Sequence, residues 1–319
     1  MRLIHSLEMT HSAPSESAVT CPVCGDHASW PIPFVDEKSG ATLKRSSGYR
    51  WCLCRHCGTA YPFPAPSLPE LQAYWDRNRV EGDSAPVTEA VWQGRLQASR
   101  VWAQRTYDFV VPHVRSNTRR FLDVACGLGA TVALFGEKGW AAEGVDADPN
   151  AREFHQRLGI RATIGQIENV DTANRYDLVG IAHAIYFISD PRGFVSRVRG
   201  MLDEEGLFVV VLSDLLSTLC AGSPQYAHTW YPTADSLTYL LEQEGFDIVA
   251  SKTTHGSILI LARKLSDVGS PPQGHPHRAY LSFTSHGWRY RLLGQPTIWL
   301  GRRVKRLLGA GRQLLKGSR

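Results

Sequence analysis

"RFLDVACGLGAT", residues 120–131, closes an apolar run on an acid and then on small residues and glycines. The run predicts a strand, and the glycines predict a bend at which a ligand approaches the backbone closely. Around it, short apolar runs alternate with helices. Residues 131–138 form a predicted helix closed by Gly139, and "AAEGVD" a second strand. Asp148 caps the next helix, with Pro149 in its first turn and Gly159 past its end. "IRATIG" and "YDLVGIAH" are the third and fourth strands; Asp190 and Pro191 open a helix that Gly206 separates from the strand "LFVVVL". A helix over 234–244 stops at Gly245 and leads into "FDIVASKTTHGSILILARK", two strands joined by a tight turn. Upstream, Val91, Val101, Trp102, Phe109 and Val110 recur at helical spacing within 87–114. Strands separated by helices make a parallel sheet, and the closing hairpin adds one antiparallel strand. The expected fold is α/β: a Rossmann-like doubly wound sheet of seven strands with the last antiparallel.

In such a sheet ligands bind at the carboxyl ends of the strands, and an acid ending the second strand, Asp146, is placed to accept hydrogen bonds from two ribose hydroxyls. A dinucleotide loop needs G-x-G-x-x-G; here Gly127, Gly129 and Val132 hold those positions, so the third glycine is missing. Asp123, four residues before Gly127, is wrong for a pyrophosphate and right for a ligand bearing an ammonium and a sulfonium. The order Asp-x-Ala-x-Gly-x-Gly closely resembles motif I of class I S-adenosylmethionine-dependent methyltransferases, with Ala125 in place of the first glycine. The resemblance spans roughly residues 119–264 and includes "GQIENV", "YDLV" and "DPRGFVSRVRGMLDEEGLFVVVL". It implies S-adenosylmethionine as cofactor, with Asp123 and Gly127 near the methionine part, Asp146 on the ribose, and Gln166 and Ile167 beside the adenine. Ala125, Gly129, Ala147 and His183 complete the implied cofactor-binding set.

Of the 7 cysteines, four form "CPVCG" (Cys21, Cys24) and "CRHCG" (Cys54, Cys57). Two such knuckles, each followed by glycine, predict a four-thiolate zinc site, structural because no coordination position is left for water. A disulfide pair is the alternative. Cys52 is a substitute ligand, and Cys126 and Cys220 are read as small buried residues. The insert between the pairs reads as short ribbon strands, and Ser67 with Glu70 forms a capping box opening a helix through Trp75, followed by a loop from Arg79 to Pro86. Cysteine pairs ahead of this fold resemble the zinc-ribbon front of bacterial methyltransferases associated with polysaccharide, sugar or secondary-metabolite pathways.

Methyl transfer is an in-line displacement, so alignment of nucleophile and methyl supplies most of the acceleration. A general base is needed only for a hydroxyl or carbon acid. After the fourth strand, "AHAIYFISDP" matches a His-x-x-Glu-His pattern of related zinc-ribbon methyltransferases only at its first histidine, His183; Tyr186 and Phe187 stand where Glu and His would be. His183 is therefore read as a base or positioning residue, or else as a backbone partner near the cofactor. The loop over 213–233 is long and rich in polar aromatics, as an acceptor-binding lid would be. Tyr226, His228 and Tyr231 are its candidates, against the alternative that Trp230 and Tyr231 only pack the lid. The predicted catalytic set is His183, Tyr186, His228 and Tyr231.

Composition limits the partners. The last acid is Asp267 and ten Lys or Arg follow it, so residues 1–267 hold 25 basic and 30 acidic groups, a net of −5, against +10 for the tail. No general basic footprint of a nucleic-acid binder is present. No apolar run of 18 residues and no signal-peptide core appear, so a cytoplasmic protein is expected. In "PTIWLGRRVKRLLGAGRQLLKGSR", Trp299 and the leucines fall near one helical face and the cations around the other, the pattern of an in-plane helix on the inner face of an anionic membrane. A helix docked on the protein itself, or a solvated tail, is the alternative. The expected organisation is a flexible 1–20, a ribbon and helix over 21–80, a cofactor-binding domain over 81–264, and a linker with basic segment over 265–319. The expected acceptor is a small molecule: a sugar, glycan or secondary-metabolite intermediate. An RNA base methyltransferase and a non-catalytic S-adenosylmethionine-binding protein are the competing readings.

Overall fold

The computed structural model describes residues 20–32, 50–81, 88–115, 117–167, 170, 173–214, 216–217, 228–254, 256–267, 269, 272–289 and, singly, 292, 293, 296 and 299. The expected flexible N-terminus before Thr20, the insert over 33–49, the middle of the expected lid with Cys220 and Tyr226, and the basic segment from 300 onward lie outside the described residues.

Strands β1 (Ser29–Ile32), β2 (Arg50–Cys54) and β3 (Ala60–Phe63) form an antiparallel ribbon. Gly25 and Gly58 each sit at φ +76°, and their N–H groups donate to the carbonyls of Cys21 and Cys54 at 3.0 and 3.1 Å, closing two like knuckles. The Glu70 carboxylate accepts from the Ser67 N–H at 2.9 Å and from its hydroxyl at 2.7 Å. The helix it opens, α1 (Leu68–Glu81), continues past Trp75 into the stretch expected as loop, because Gln72 and Arg79 both reach Asp76 along its exposed face.

Helix α2 (Glu89–Val110) buries Trp92, Leu96, Ala103, Thr106 and Val110. Of the residues expected at helical spacing, Val110 is buried and Trp102 and Phe109 pack partly buried against the core, while Val91 and Val101 are exposed. The main domain follows as β4 (Arg120–Val124), α3 (Ala130–Glu137), β5 (Ala141–Asp146), α4 (Ala151–Leu158), β6 (Arg161–Ile164), β7 (Tyr176–Ala182), α5 (Pro191–Met201), β8 (Leu202–Ser213), α6 (Ala234–Gln243), β9 (Phe246–Thr254) and β10 (Ser257–Lys264). The sheet order is β6-β5-β4-β7-β8-β10-β9, with five parallel strands and β10 antiparallel to both β8 and β9. This is the expected seven-stranded Rossmann-like sheet with its antiparallel closing strand.

Two boundaries differ from expectation. Helix α4 starts at Ala151, and Asp148 forms the turn before it, accepting the Asn150 N–H at 3.0 Å. Helix α5, capped by Asp190 through the Gly193 N–H at 3.0 Å, runs straight into β8 at Leu202. Gly206 therefore lies inside β8, at an irregularity where β7 changes partner from Leu202 to Leu207 and Glu205 takes φ +62°.

The stretch after Lys264, expected to be a linker, holds helix α7 (Pro276–Arg289). Its buried residues, Ala279, Phe283 and His286, recur at helical spacing and form a stripe too small and too polar to stand out in the sequence. Trp30 meets His277 and Tyr280 with ring centroids 5.1 Å apart in each pair, and Ala279 lies where a Cβ on Gly58 would meet it at 3.2 Å. One hydrophobic cluster runs from Val23, Leu53 and Tyr61 of the ribbon to Leu122, Val179 and Val210 of the sheet, so ribbon and domain share a core. The opposite face of the sheet packs Phe121, Leu178 and Val209 against Phe135 and Val110.

Candidate active site and metal centre

The chain leaves β4 through three left-handed residues in alternation: Ala125 (φ +55°), Gly127 (φ +54°) and Gly129 (φ +83°). Each has its own reason. A Cβ on Gly129 would collide with Ile160 Cδ1, so this glycine serves helix packing. A Cβ on Gly127 would meet nothing within 4 Å, and the residue is exposed, so its bare backbone faces an open crevice. Ala125 stands where motif I carries glycine and keeps the glycine conformation, at a cost of about 1–3 kcal/mol.

Asp146, at the tip of the neighbouring β5, accepts the Gly127 N–H at 2.7 Å and the Asp148 N–H at 2.8 Å. Burial raises its pKa despite these bonds. The other face of the loop rests on His155 of α4, whose Nε2 lies 2.8 Å from the Gly127 carbonyl oxygen. Asp123 is 4% exposed and lies beneath the loop, lining a cavity of about 10 Å³ with Thr106, Thr131 and Gly180. Burial, then the charge of Asp146, pushes its carboxyl up to about 8, while a bond from Thr131 opposes the shift. Ala147 and Gln166 are exposed and Ile167 is buried, its carbonyl accepting from Arg197 Nε at 3.2 Å.

At the tip of β7, on the other side of β4, His183 is also left-handed at φ +55°. Its N–H donates to the Val211 carbonyl at 2.7 Å, its ring stands edge-on to Trp102, and its Nδ1 lies 3.3 Å from Ser213 Oγ. Burial lowers its pKa, favouring the neutral imidazole. Ser213 is a meeting point: its hydroxyl also bonds Tyr186, and its carbonyl accepts the Tyr231 hydroxyl at 2.6 Å. Tyr186 and Tyr231 stack at 5.4 Å, with the His228 ring against both. Tyr186, His228 and Tyr231 are buried, and burial pushes the Tyr186 hydroxyl up to about 12. The four predicted catalytic residues are thus brought together, but only His183 is not fully enclosed. Trp230 is fully buried, its Nε1 donating to the Ile185 carbonyl at 3.0 Å, so it packs the end of the loop as the alternative reading held.

The ribbon reaches this cluster directly. The Tyr231 N–H donates to the Ala60 carbonyl of β3 at 2.7 Å, and Trp75 of α1 packs edge-on against Phe187. His155 and Ser213 are the residues that sequence reading missed. Each acts through a bond between elements about thirty positions apart, which leaves no periodic or motif signal.

The Sγ atoms of Cys21, Cys24, Cys54 and Cys57 all lie within 4.8 Å of one another, with Cys21–Cys57 at 3.6 Å and Cys24–Cys54 at 3.4 Å. A zinc ion bound at 2.3 Å to four sulfurs sets tetrahedral edges of about 3.8 Å. The cluster fits such a site, and these separations exclude disulfides. Cys52 is buried on the same strand as Cys54 but is not in the cluster.

The sheet order, with strand tips carrying Asp146, the 125–129 loop and His183, is that of a Rossmann-like methyltransferase fold. Residues 93–251 match the family model described as a methyltransferase domain. The chain is 30% identical over 145 residues to the ubiquinone biosynthesis O-methyltransferase of Bradyrhizobium sp. (strain ORS 278), covering 39% of this chain and 56% of the relative. It is 24% identical over 110 residues to the malonyl-[acyl-carrier protein] O-methyltransferase of Porphyromonas gingivalis (strain ATCC BAA-308 / W83), covering 33% and 42%. The chain thus spans about half the length of the curated relatives it matches. Among solved structures, a 1,6-didemethyltoxoflavin-N1-methyltransferase from Burkholderia thailandensis aligns with TM-score 0.47 and 19% identity over 65% of this chain and 96% of that one. The ribbon and α7 lie outside the stretch that matches the methyltransferase-domain model.

Proposed function

We propose that this protein transfers a methyl group from S-adenosylmethionine to a small-molecule acceptor, a sugar, glycan or secondary-metabolite intermediate, and that its ribbon holds one structural zinc ion. The observation that carries the reading is the bare backbone of Gly127 facing the crevice beside the Asp146 carboxylate. An adenosyl ligand needs this pair: an approach free of side chains, and an acid with lone pairs left for ribose hydroxyls. Asp146 with Ala147 would hold the ribose, the 125–129 loop the methionine part, and Gln166 and Ile167 the adenine edge. Bound there, S-adenosylmethionine supplies an electrophilic methyl on a cationic sulfur.

The protein's own residues do the rest. His183, neutral because buried, would take the proton of an acceptor hydroxyl, and Ser213 orients its ring. Tyr186, His228 and Tyr231 form the wall behind it and exclude water. Both curated relatives are named O-methyltransferases, which supports an oxygen nucleophile and so a use for the base. Isothermal titration of the full chain with S-adenosylhomocysteine, followed by a labelled-methyl screen over lipid, sugar and RNA fractions of cell extract, tests the reading. Label entering the RNA pool, or none entering any pool, would reject it.

The basic C-terminal segment is proposed to bring the enzyme to an anionic membrane surface on the cytoplasmic side. Leu292, Leu293 and Trp299 ahead of it are exposed, and no described helix is long and apolar enough to cross a membrane.

A further inference from the structure

We infer that His155 is a positioning residue for the cofactor loop, holding the 125–129 turn in its open form before any ligand arrives. The inference rests on reading this loop as an S-adenosylmethionine cradle.

His155 is 4% exposed and sits on α4 directly under the turn. A carbonyl oxygen only accepts, so the 2.8 Å contact between Nε2 and the Gly127 oxygen places the imidazole proton on Nε2. The Gly127 N–H is held at 2.7 Å by Asp146. Both polar groups of the residue that faces the crevice are therefore gripped, by side chains from two elements that follow one another in the chain. The same ring lies 3.6 Å from Cys126 Sγ, and a Cβ on Gly129 would meet its Cδ2 at 3.3 Å, so it lies against three residues of the loop.

The loop needs such a clamp because Ala125 is held left-handed, where a non-glycine residue persists only if its surroundings over-determine it. Without the His155 donor, the exposed Gly127 carbonyl can turn to water and the strain at Ala125 can relax. The turn would then spend part of its time with its approach closed. A site competent one tenth of the time binds about tenfold more weakly.

The test uses the full chain and S-adenosylhomocysteine in calorimetric titration, with amide hydrogen exchange at Gly127 and Gly129 as a second readout. His155→Leu, similar in bulk and without a donor, should bind about tenfold more weakly and exchange faster at Gly127. His155→Gln, whose amide N–H reaches as far, should recover most of both. Should the Leu variant fail to fold, His155→Asn takes its place, since the shorter amide cannot reach. Wild-type affinity in the donor-free variant, or equal loss in both variants with unchanged Gly127 exchange, overturns the inference. If the wild-type chain itself binds no S-adenosylhomocysteine, the cofactor reading fails instead, and faster Gly127 exchange in the donor-free variant alone still decides the role of the histidine.

Discussion

Asp123→Asn should make this protein more stable while weakening its cofactor site. Asp123 is the conserved-shape test case because asparagine keeps its size and its bond to Thr131 while removing the ionisation. In the folded state burial and Asp146 raise its pKa from 3.8 to about 8. Below pH 4 both folded and unfolded chains hold the proton. Between about pH 4 and 8 only the folded chain does, so unfolding releases a proton and stability falls as pH rises; above pH 8 both forms are ionised and the loss is complete. From 3.8 to neutral pH is about 3 units, an upper bound of about 4 kcal/mol at 1.36 kcal/mol per unit. The adjoining cavity of about 10 Å³ has room for one water, whose entry reduces this to about 2 kcal/mol.

Urea unfolding of wild-type and Asp123→Asn protein at pH 5, 7 and 8.5 measures the effect. The two should diverge progressively between pH 5 and 8.5, the variant being about 2 kcal/mol more stable at pH 7, and S-adenosylmethionine should bind it less tightly because asparagine cannot give up a proton to complement a bound cation. Parallel stability profiles would refute the placement of a desolvated acid beneath the loop.

Further outcomes concern the ribbon, the base and the tail. Cys24→Ser should lose zinc, read by inductively coupled plasma emission, and reduce methyl transfer more than S-adenosylhomocysteine affinity, because β3 and α1 touch Tyr231 and Phe187 and not the 125–129 loop. Ser213→Ala should lower kcat about tenfold and displace the acid limb of the pH profile, with Ser213→Thr restoring both; an unshifted limb would leave His183 without this partner. Tyr231→Phe removes the donor to the half-buried Ser213 carbonyl and should cost about 1 kcal/mol in urea unfolding, with cofactor affinity unchanged. Deleting residues 296–319 should reduce co-sedimentation with phosphatidylglycerol vesicles, and undiminished pelleting would eliminate membrane contact through that segment.

What was legible in the sequence was local. A strand that stops at Val124, the glycines at 127 and 129, the acid at 146 and the two Cys-x-x-Cys turns each announce themselves within a few residues, because backbone conformation or ligand spacing demands particular side chains there. Helix α7 was not legible, since two of its three buried residues are Ala279 and His286 and its partner surface is the ribbon, more than two hundred residues away. The inner face of α2 was legible only in part, at Trp102, Phe109 and Val110, for a related reason: the small or polar Ala103 and Thr106 are buried, while Val91 and Val101 are left outside. The candidate catalytic residues were found as a group, but what joins them is Ser213, and nothing in the local sequence marks a serine that serves three partners.

The strained residues tie these observations together. Ala125 and His183 are left-handed non-glycine residues at the tips of adjacent strands β4 and β7, flanking the point where cofactor and acceptor would meet. Both lie just past the paired residues of their strands, which end at Val124 and Ala182. Both are held by neighbouring elements: the turn after Ala125 by His155 of α4 and Asp146 at the tip of β5, and His183 by Val211 and Ser213 at the tip of β8. The same β8 tip that holds His183 also receives Tyr231, which is hydrogen-bonded to the ribbon. A perturbation of the four cysteines therefore has a short path, β3 to Tyr231 to Ser213 to His183, whereas the path to Gly127 is longer, through α1 and the Arg79 carbonyl to Asn150, Asp148 and Asp146. That asymmetry is why loss of zinc is expected to act on turnover before it acts on cofactor binding.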